Sequence, residues 1–222
     1  MSNKNIIICI DLSCDISGFS IFNSDNFLIK KYDFCSKSAF GLFIEKLILS
    51  LNEINLSMNN VDRWIVGLGP GNFNRLRMLS AFVSGYCCLN KKSDSYGISS
   101  ALPISMRVAD KDQNIEKIIV LFCGSIKYIT ICEVIIEMGV YNCNKINYLD
   151  HSNLILFLNN HDYDKIAYVK NNYINDMKIN EFVKKQIIML DDFPTENMLN
   201  FNLSIYKNSI RNLIYVRDFI AN

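Results

Sequence analysis

The sequence predicts an α/β fold divided into two lobes, on three observations. Apolar runs of strand length are interleaved with segments whose apolar residues recur every three to four positions, the pattern of strands and covering helices. A corner, Gly69-Pro70-Gly71, joins one such strand to one such helix. The polar segment Asp110-Lys111-Asp112-Gln113-Asn114 then divides a first lobe, 1–110, from a smaller second lobe, 111–222, that opens on a hairpin pattern.

The elements follow in order. Residues 5–11 read as a buried strand, 18–22 as a second, and 27–34 as a third, with the turn chemistry of Asn23-Ser24-Asp25-Asn26 closing a meander. From Ser38 the period changes, and Phe40, Phe43, Ile44, Leu47, Ile48 and Leu51 mark one apolar helical face. Leu42 and Leu49 lie off that face, as a helix with a second buried surface requires. Residues 64–67 form a short central strand and 73–89 a helix, along which Ser80, Ala81, Ser84 and Gly85 permit close approach of another helix. A strand at 95–98 leads through Ser99 or Ser100 as N-cap into a helix ending near Ala109. In the second lobe, 117–123 and 127–136 form a hairpin closed through Gly124-Ser125, and shorter pieces follow at 152–158, 165–169, 181–187 and 195–206. No internal repeat is visible.

At 222 residues with half the composition apolar, the chain can bury a core without disulfide or metal staples. Its 23 basic and 22 acidic residues nearly cancel, so no overall field draws in a polyanion, and nucleic acid is a poor direct partner. Eight cysteines, at 9, 14, 35, 87, 88, 123, 132 and 143, form no C-x-x-C pair and sit partly in apolar runs, which fits free thiols in a reducing cytosol. The run Ile6-Ile7-Ile8-Cys9-Ile10 is too short for a signal-peptide core, and the apolar stretch 118–140 is broken by Lys127, Glu133 and Glu137. A soluble, cytoplasmic protein with no membrane partner is expected.

Three glycines within five residues, at 67, 69 and 71, in a chain with only nine, indicate a backbone requirement. Pro70 fixes its own φ, and Asn72 can accept a bond from the first free N–H groups of the helix that follows. The unpaired donors of such a junction suit either an anion or a well-capped strand-to-helix turn.

This order of elements resembles the first half of an actin-like ATPase domain with its ribonuclease-H-like core. Within that superfamily the chain is similar to the TsaB (YeaZ) family. Members carry a first strand ending in Asp-Thr-Ser, a G-P-G-S-F-T-G-x-R turn-helix, a G-V-S-S strand-helix junction and a P-x-Y-L-R tail. The counterparts here are Ile10-Asp11-Leu12-Ser13, Gly69-Pro70-Gly71-Asn72-Phe73-Asn74-Arg75-Leu76-Arg77, Gly97-Ile98-Ser99-Ser100 and Ile214-Tyr215-Val216-Arg217. The chain departs from the family at Asn72 and Asn74, where it has Ser and Thr, at Arg75, where it has Gly, and at Asn212, where proline is expected. Phe122-Cys123-Gly124 stands in place of the family's Asp-Ala-Arg segment.

The resemblance implies a non-catalytic scaffold. It would pair with a TsaD-like catalytic subunit and work with a TsaE-like ATPase to make threonylcarbamoyladenosine in tRNA, touching tRNA only through that complex; homodimerisation stays open. In that family the helices after the meander and after Gly-Pro-Gly form the pairing surface. Carried onto this sequence, the surface comprises Phe43, Leu47, Phe73, Arg75, Arg77, Ser80, Ala81 and Ser84.

Asp11 is placed where actin-like ATPases hold a carboxylate near phosphate and Mg²⁺, which makes Asp11, Ser13, Gly69 and Gly71 the phosphate-proximal candidates. The alternative is that Asp11 caps its own turn through Ser13 and Ser17. No second phosphate loop follows in the sequence, so no cofactor and no catalytic residues are expected. His151 and His161, ten residues apart in a helix and loop, do not suit a shared metal. Phe73 and Arg77 lie one helical turn apart and present either an aromatic anchor and a cation to a partner or contacts within the lobe. A small ATPase or metabolite kinase of the same superfamily, and a stand-alone homodimeric interaction protein, are the competing readings.

Overall fold

A computed structural model describes residues 5–35, 39–112, 114–123 and 128–203. In the first half, β1 (Ile6–Asp11), β2 (Ile16–Asn23) and β3 (Leu28–Cys35) form an antiparallel meander. Helix α1 (Ala39–Glu53) returns the chain so that β4 (Val61–Gly67) pairs parallel with β1, and α2 (Phe73–Leu89) does the same for β5 (Asp94–Ile98) against β4. The sheet order is β3-β2-β1-β4-β5.

After α3 (Ala101–Ala109) the topology is repeated. The meander is β6 (Lys117–Cys123), β7 (Ile129–Glu137) and β8 (Val140–Leu149), followed by α4 (His151–Asn160), β9 (Lys165–Val169), α5 (Asn172–Asp176) and β10 (Gln186–Leu190). The order β10-β9-β6-β7-β8 is that of the first sheet, strand for strand. The sequence shows no repeat because the halves share topology without sharing residues.

Every residue of β1 is buried, as expected of a central strand covered on both faces. One face, carrying Ile6, Ile8, Ile10, Trp64 and Val66, receives Phe43 and Leu47 from α1 and Leu79 and Val83 from α2. Phe40, Phe43 and Phe82 close the seam between the two helices with edge-on rings. The other face, with Ile7, Cys9, Phe22, Ile65, Tyr96 and Ile98, receives Met198 from a 3-10 segment, Thr195–Asn200, that returns from the second half. The Ser20 and Thr195 hydroxyls are 2.6 Å apart beneath it. Helix α3 packs the opposite way, its Ala101, Leu102, Ile104 and Val108 joining Ile118, Val120, Cys132 and Val134 of the second sheet. The polar segment at 110–114 thus divides the sheets but not the packing.

Two expectations are corrected. Strand β8, absent from the sequence reading, spans ten residues and completes the second meander. The piece expected at 181–187 is a 3-10 turn, Ile179–Glu181, followed by the start of β10. Strands β2 and β4 also begin at Ile16 and Val61, earlier than their apolar runs suggest, because ladder pairing extends into polar positions. The Gly124-Ser125 turn and the Ile214-Tyr215-Val216-Arg217 tail lie outside the described residues. All eight cysteines are free thiols, and among the described residues no helix is long and apolar enough to cross a membrane.

Candidate functional site at the Gly-Pro-Gly corner

The corner forms where β1, β4 and β5 end side by side. Asp11, the last residue of β1, is fully buried. Its Oδ1 accepts from the Ser13 backbone N–H at 2.7 Å and its Oδ2 from the Ser100 hydroxyl at 2.6 Å. Ser100 Oγ in turn accepts from the Gly69 N–H at 3.0 Å, and Gly69 O accepts from the Ser100 N–H at 2.8 Å. The Asn72 N–H donates to Ser13 O at 2.9 Å, and Asn72 caps α2 by accepting from the Arg75 N–H at 3.2 Å.

The glycines serve this closure. A Cβ on Gly67 would stand 1.7 Å from Asp11 Oδ2, and one on Gly71, whose φ is +154°, would stand 2.3 Å from Ser13 O. Asp11, Ser13, Gly69 and Gly71 therefore lie together; Asp11 bonds Ser13 directly and reaches Gly69 through Ser100, while Gly71 packs against Ser13. Burial pushes the Asp11 carboxyl up from 3.8 to about 6, against the opposing hydrogen bonds from Ser100 and Ser13. The Ser13 N–H bond is the one the turn-cap reading named; Ser100 rather than Ser17 supplies the other partner, and the Ser17 hydroxyl donates instead to Cys14 O at 2.9 Å.

Side chains of the β1–β2 turn reach the second half beside the corner. Cys14 and Ile16, from the β1–β2 turn and the start of β2, pack against the core of the second sheet. Asn171, the N-cap of α5, donates to Asp15 Oδ2 at 2.6 Å and ties the same turn to the second half. Burial and the nearby Asp11 push the Cys14 thiol well up.

The residues assigned to a partner face separate into two groups. Phe43 and Leu47 are fully buried against the first sheet, so they are corrected from interface to core: the apolar stripe of a sheet-covering helix turns inward. Ser80 is likewise buried. Arg75 is half-buried and donates from Nη1 to Cys14 O at 2.9 Å, so it secures the β1–β2 turn to α2 rather than facing outward. Arg77 and Ala81 are exposed, and Phe73 and Ser84 half-exposed.

Sequence reasoning missed Met78 and Ile48 among the neighbours that complete the outward face. Met78 and Gly85 are exposed on α2, and Ile48, placed on the inner stripe by periodicity, is 45% exposed on α1 beside Leu49 at 46%. Leu49, as a leucine off the inner stripe, and Gly85, as a small residue along α2, did carry a signal. His151 is exposed at the start of α4, and His161 stacks on Phe157 at 3.8 Å between ring centroids. Among the described residues no group of three or more His, Cys, Asp or Glu is arranged to hold a metal ion.

No protein-family model matches the chain, and no curated protein matches it. Solved structures do. Two α/β lobes of this construction define the actin-like ATPase fold. The (R)-2-hydroxyglutaryl-CoA dehydratase component A of Acidaminococcus fermentans superposes with a TM-score of 0.52 at 8% identity, over 90% of this chain and 97% of that one. YeaZ from Pseudomonas aeruginosa superposes with a TM-score of 0.64 at 15% identity, over 88% of this chain and 90% of that one. The ethanolamine utilization protein EutJ from Carboxydothermus hydrogenoformans gives 0.51 at 10%, over 87% and 89%. The fold is YeaZ-like.

Proposed function

We propose that the protein is a TsaB-type scaffold, which pairs through the outer face of α1 and α2 with a TsaD-like catalytic subunit and supports its threonylcarbamoylation of tRNA together with a TsaE-like ATPase. The observation that carries the reading is the outer face itself. Ile48, Leu49, Met78, Ala81 and Gly85 are apolar or small and exposed, with Arg77 among them, on two helices whose inner sides are locked to the sheet. Small residues let a partner's helix approach closely, and an arginine beside apolar side chains is the composition of an interface centre.

Co-expression with the TsaD-like subunit of the same cell tests the reading. The two chains are expected to co-elute, and Arg77→Glu is expected to weaken pairing at least about tenfold with an unchanged circular dichroism spectrum, since charge reversal at a contact costs more than one kcal/mol. Pairing that survives Arg77→Glu unaltered overturns the assigned face. ATP turnover by the purified chain alone overturns the scaffold.

A further inference from the structure

Strand β10 forms an outer edge of the second sheet and pairs parallel with β9. On that side the Lys170 N–H donates to Leu190 O at 2.8 Å. Backbone groups alternate in direction along a strand, so Gln186, Ile188 and Leu190 turn theirs toward β9, and Ile187 and Met189 turn theirs outward. Among the described residues no backbone bond from another element reaches those outward groups. The Ile187 and Met189 side chains share one face of the strand, where Ile187 is half-buried, Met189 is 40% exposed, and both line a shallow groove with Ile174 and Ile179.

The other outer strands carry features that discourage a further strand from pairing. Strand β3 holds Lys30 and Lys31, β5 opens on Asp94, and β8 holds Lys145 beside Asn144, an extra residue between the partners of Glu133 and Val134. Gln186-Ile187-Ile188-Met189-Leu190 holds no charge, no proline and no bulge. Its charges stand just outside, Lys184-Lys185 before and Asp191-Asp192 after. An antiparallel strand of the same sequence therefore brings aspartates to these lysines and lysines to these aspartates, whereas a parallel one sets like against like. Asp192 is already held by Lys31 and Arg107. Lys185 and Asp191 are exposed, and within the chain each has one loose surface partner, Asp162 at 3.9 Å and Lys170 at 3.6 Å, a kind of pair worth little.

We propose that β10 is a dimerisation edge, pairing antiparallel with β10 of a second copy of this chain about a two-fold axis at Ile188 and joining the second sheets of the two copies into one. Ile187 then lies opposite Met189 of the second copy, and Met189 opposite its Ile187. These are the residues whose backbone groups point outward, so each pair exchanges both of its N–H to O=C bonds, while Ile188 meets its own copy as a non-bonded pair. The same register sets an isoleucine against a methionine on the exposed face and Lys185 against Asp191 at both ends. A shift of two residues either way sets Lys185 against Met189, or Asp191 against Ile187, and loses the charge pairs. Each copy offers one such edge, so the assembly closes at two. The contact is on the other sheet from α1 and α2 and does not rest on their outer face having a partner.

Sedimentation velocity of the full-length chain over a concentration series, in low and high salt, tests this. A monomer–dimer equilibrium is expected, weaker in high salt because the charge pairs lie at the exposed ends of the strand. Lys185→Glu and Asp191→Lys each set like charges together at both ends and are expected to weaken the dimer at least about tenfold. Mixed in equal amounts the two variants are expected to recover it, since every cross-strand charge pair is then of opposite sign. In wild-type protein, amide exchange at Ile187 and Met189 is expected to slow as concentration rises, while Ile188, which turns toward β9, keeps its rate. That readout holds whether or not the variants fold. A chain that stays monomeric at every concentration overturns the proposal, as does a mixture of the two variants that stays monomeric. A dimer that Arg77→Glu abolishes and both β10 variants leave intact also overturns it, by placing the contact on α1 and α2.

Discussion

Asp11 shows what one buried carboxyl does to the whole molecule. Its folded value of about 6 lies above its ordinary 3.8, so between those pH values the native state holds a proton that the unfolded chain has released. Its stabilising contribution is complete below about pH 4 and is lost as pH rises through 6. The difference between the two values corresponds to roughly 3 kcal/mol. Asp11→Asn keeps an acceptor for the Ser13 N–H and cannot ionise. Urea unfolding of wild type and variant at pH 4 and pH 7 should therefore differ in slope, with wild type losing on the order of 3 kcal/mol more across the interval. Equal slopes would mean that the carboxyl titrates in the folded state as it does in the open chain. Arg75 acts at the same scale. It occupies a position where glycine was expected from the resemblance, and its guanidinium donates to the Cys14 carbonyl, tying α2 to the β1–β2 turn.

Among the elements, α1 separates core from surface within a single turn. Leu47 is fully buried and Leu49, two positions on, is 46% exposed. Leu47→Ala should cost 2–5 kcal/mol in stability, the range for truncating a buried leucine. Leu49→Asp should leave the unfolding midpoint within about 0.5 kcal/mol of wild type, as a surface change does, and should weaken pairing with the catalytic subunit. A Leu49→Asp protein that unfolds early but binds normally would place that side of α1 in the core. Helical periodicity separates Leu47 from Leu49 in advance but puts Ile48, which is 45% exposed, on the inner stripe, because the period marks the face that meets the sheet without marking where its edge lies. The bounds of α2 were legible for the opposite reason: Asn72 caps it, and the corner before it leaves few other ways for the chain to proceed. Strand β8 was not legible. Its Asn, Lys and Tyr residues dilute the apolar signal, and the Asn144 bulge breaks the two-residue period midway. The missing signal was topological, since a second half built like the first requires a third meander strand before its helix.

At the scale of the molecule, the halves are joined by an exchange of covering segments: α3 caps the second sheet while residues 195–203 return to the first. Charge reinforces the return. Lys31 of β3 and Arg107 of α3 both pair with Asp192 and Glu196, and Arg107 Nε donates to Asn197 Oδ1 at 3.3 Å. Burial raises the Asp192 carboxyl, but the Lys31 bond and the charges of Lys31 and Arg107 outweigh it and hold the group below its ordinary value. The larger share of the docking rests on Met198, which is fully buried among Ile7, Cys9, Phe22, Ile65, Tyr96 and Ile98. Among the described residues, no other segment in that cluster comes from outside the first sheet except the neighbouring residues Leu199, Phe201 and Leu203. Met198→Ala should therefore cost about 2–5 kcal/mol, and the loss should be local in character. Amide exchange is expected to quicken in β1, β2 and β5, which the segment covers, and to stay near wild-type rates in β7 and β8, which α3 covers instead. A cost under about 0.5 kcal/mol with unchanged exchange in β1 would show that the first sheet holds its second face closed without the returning segment.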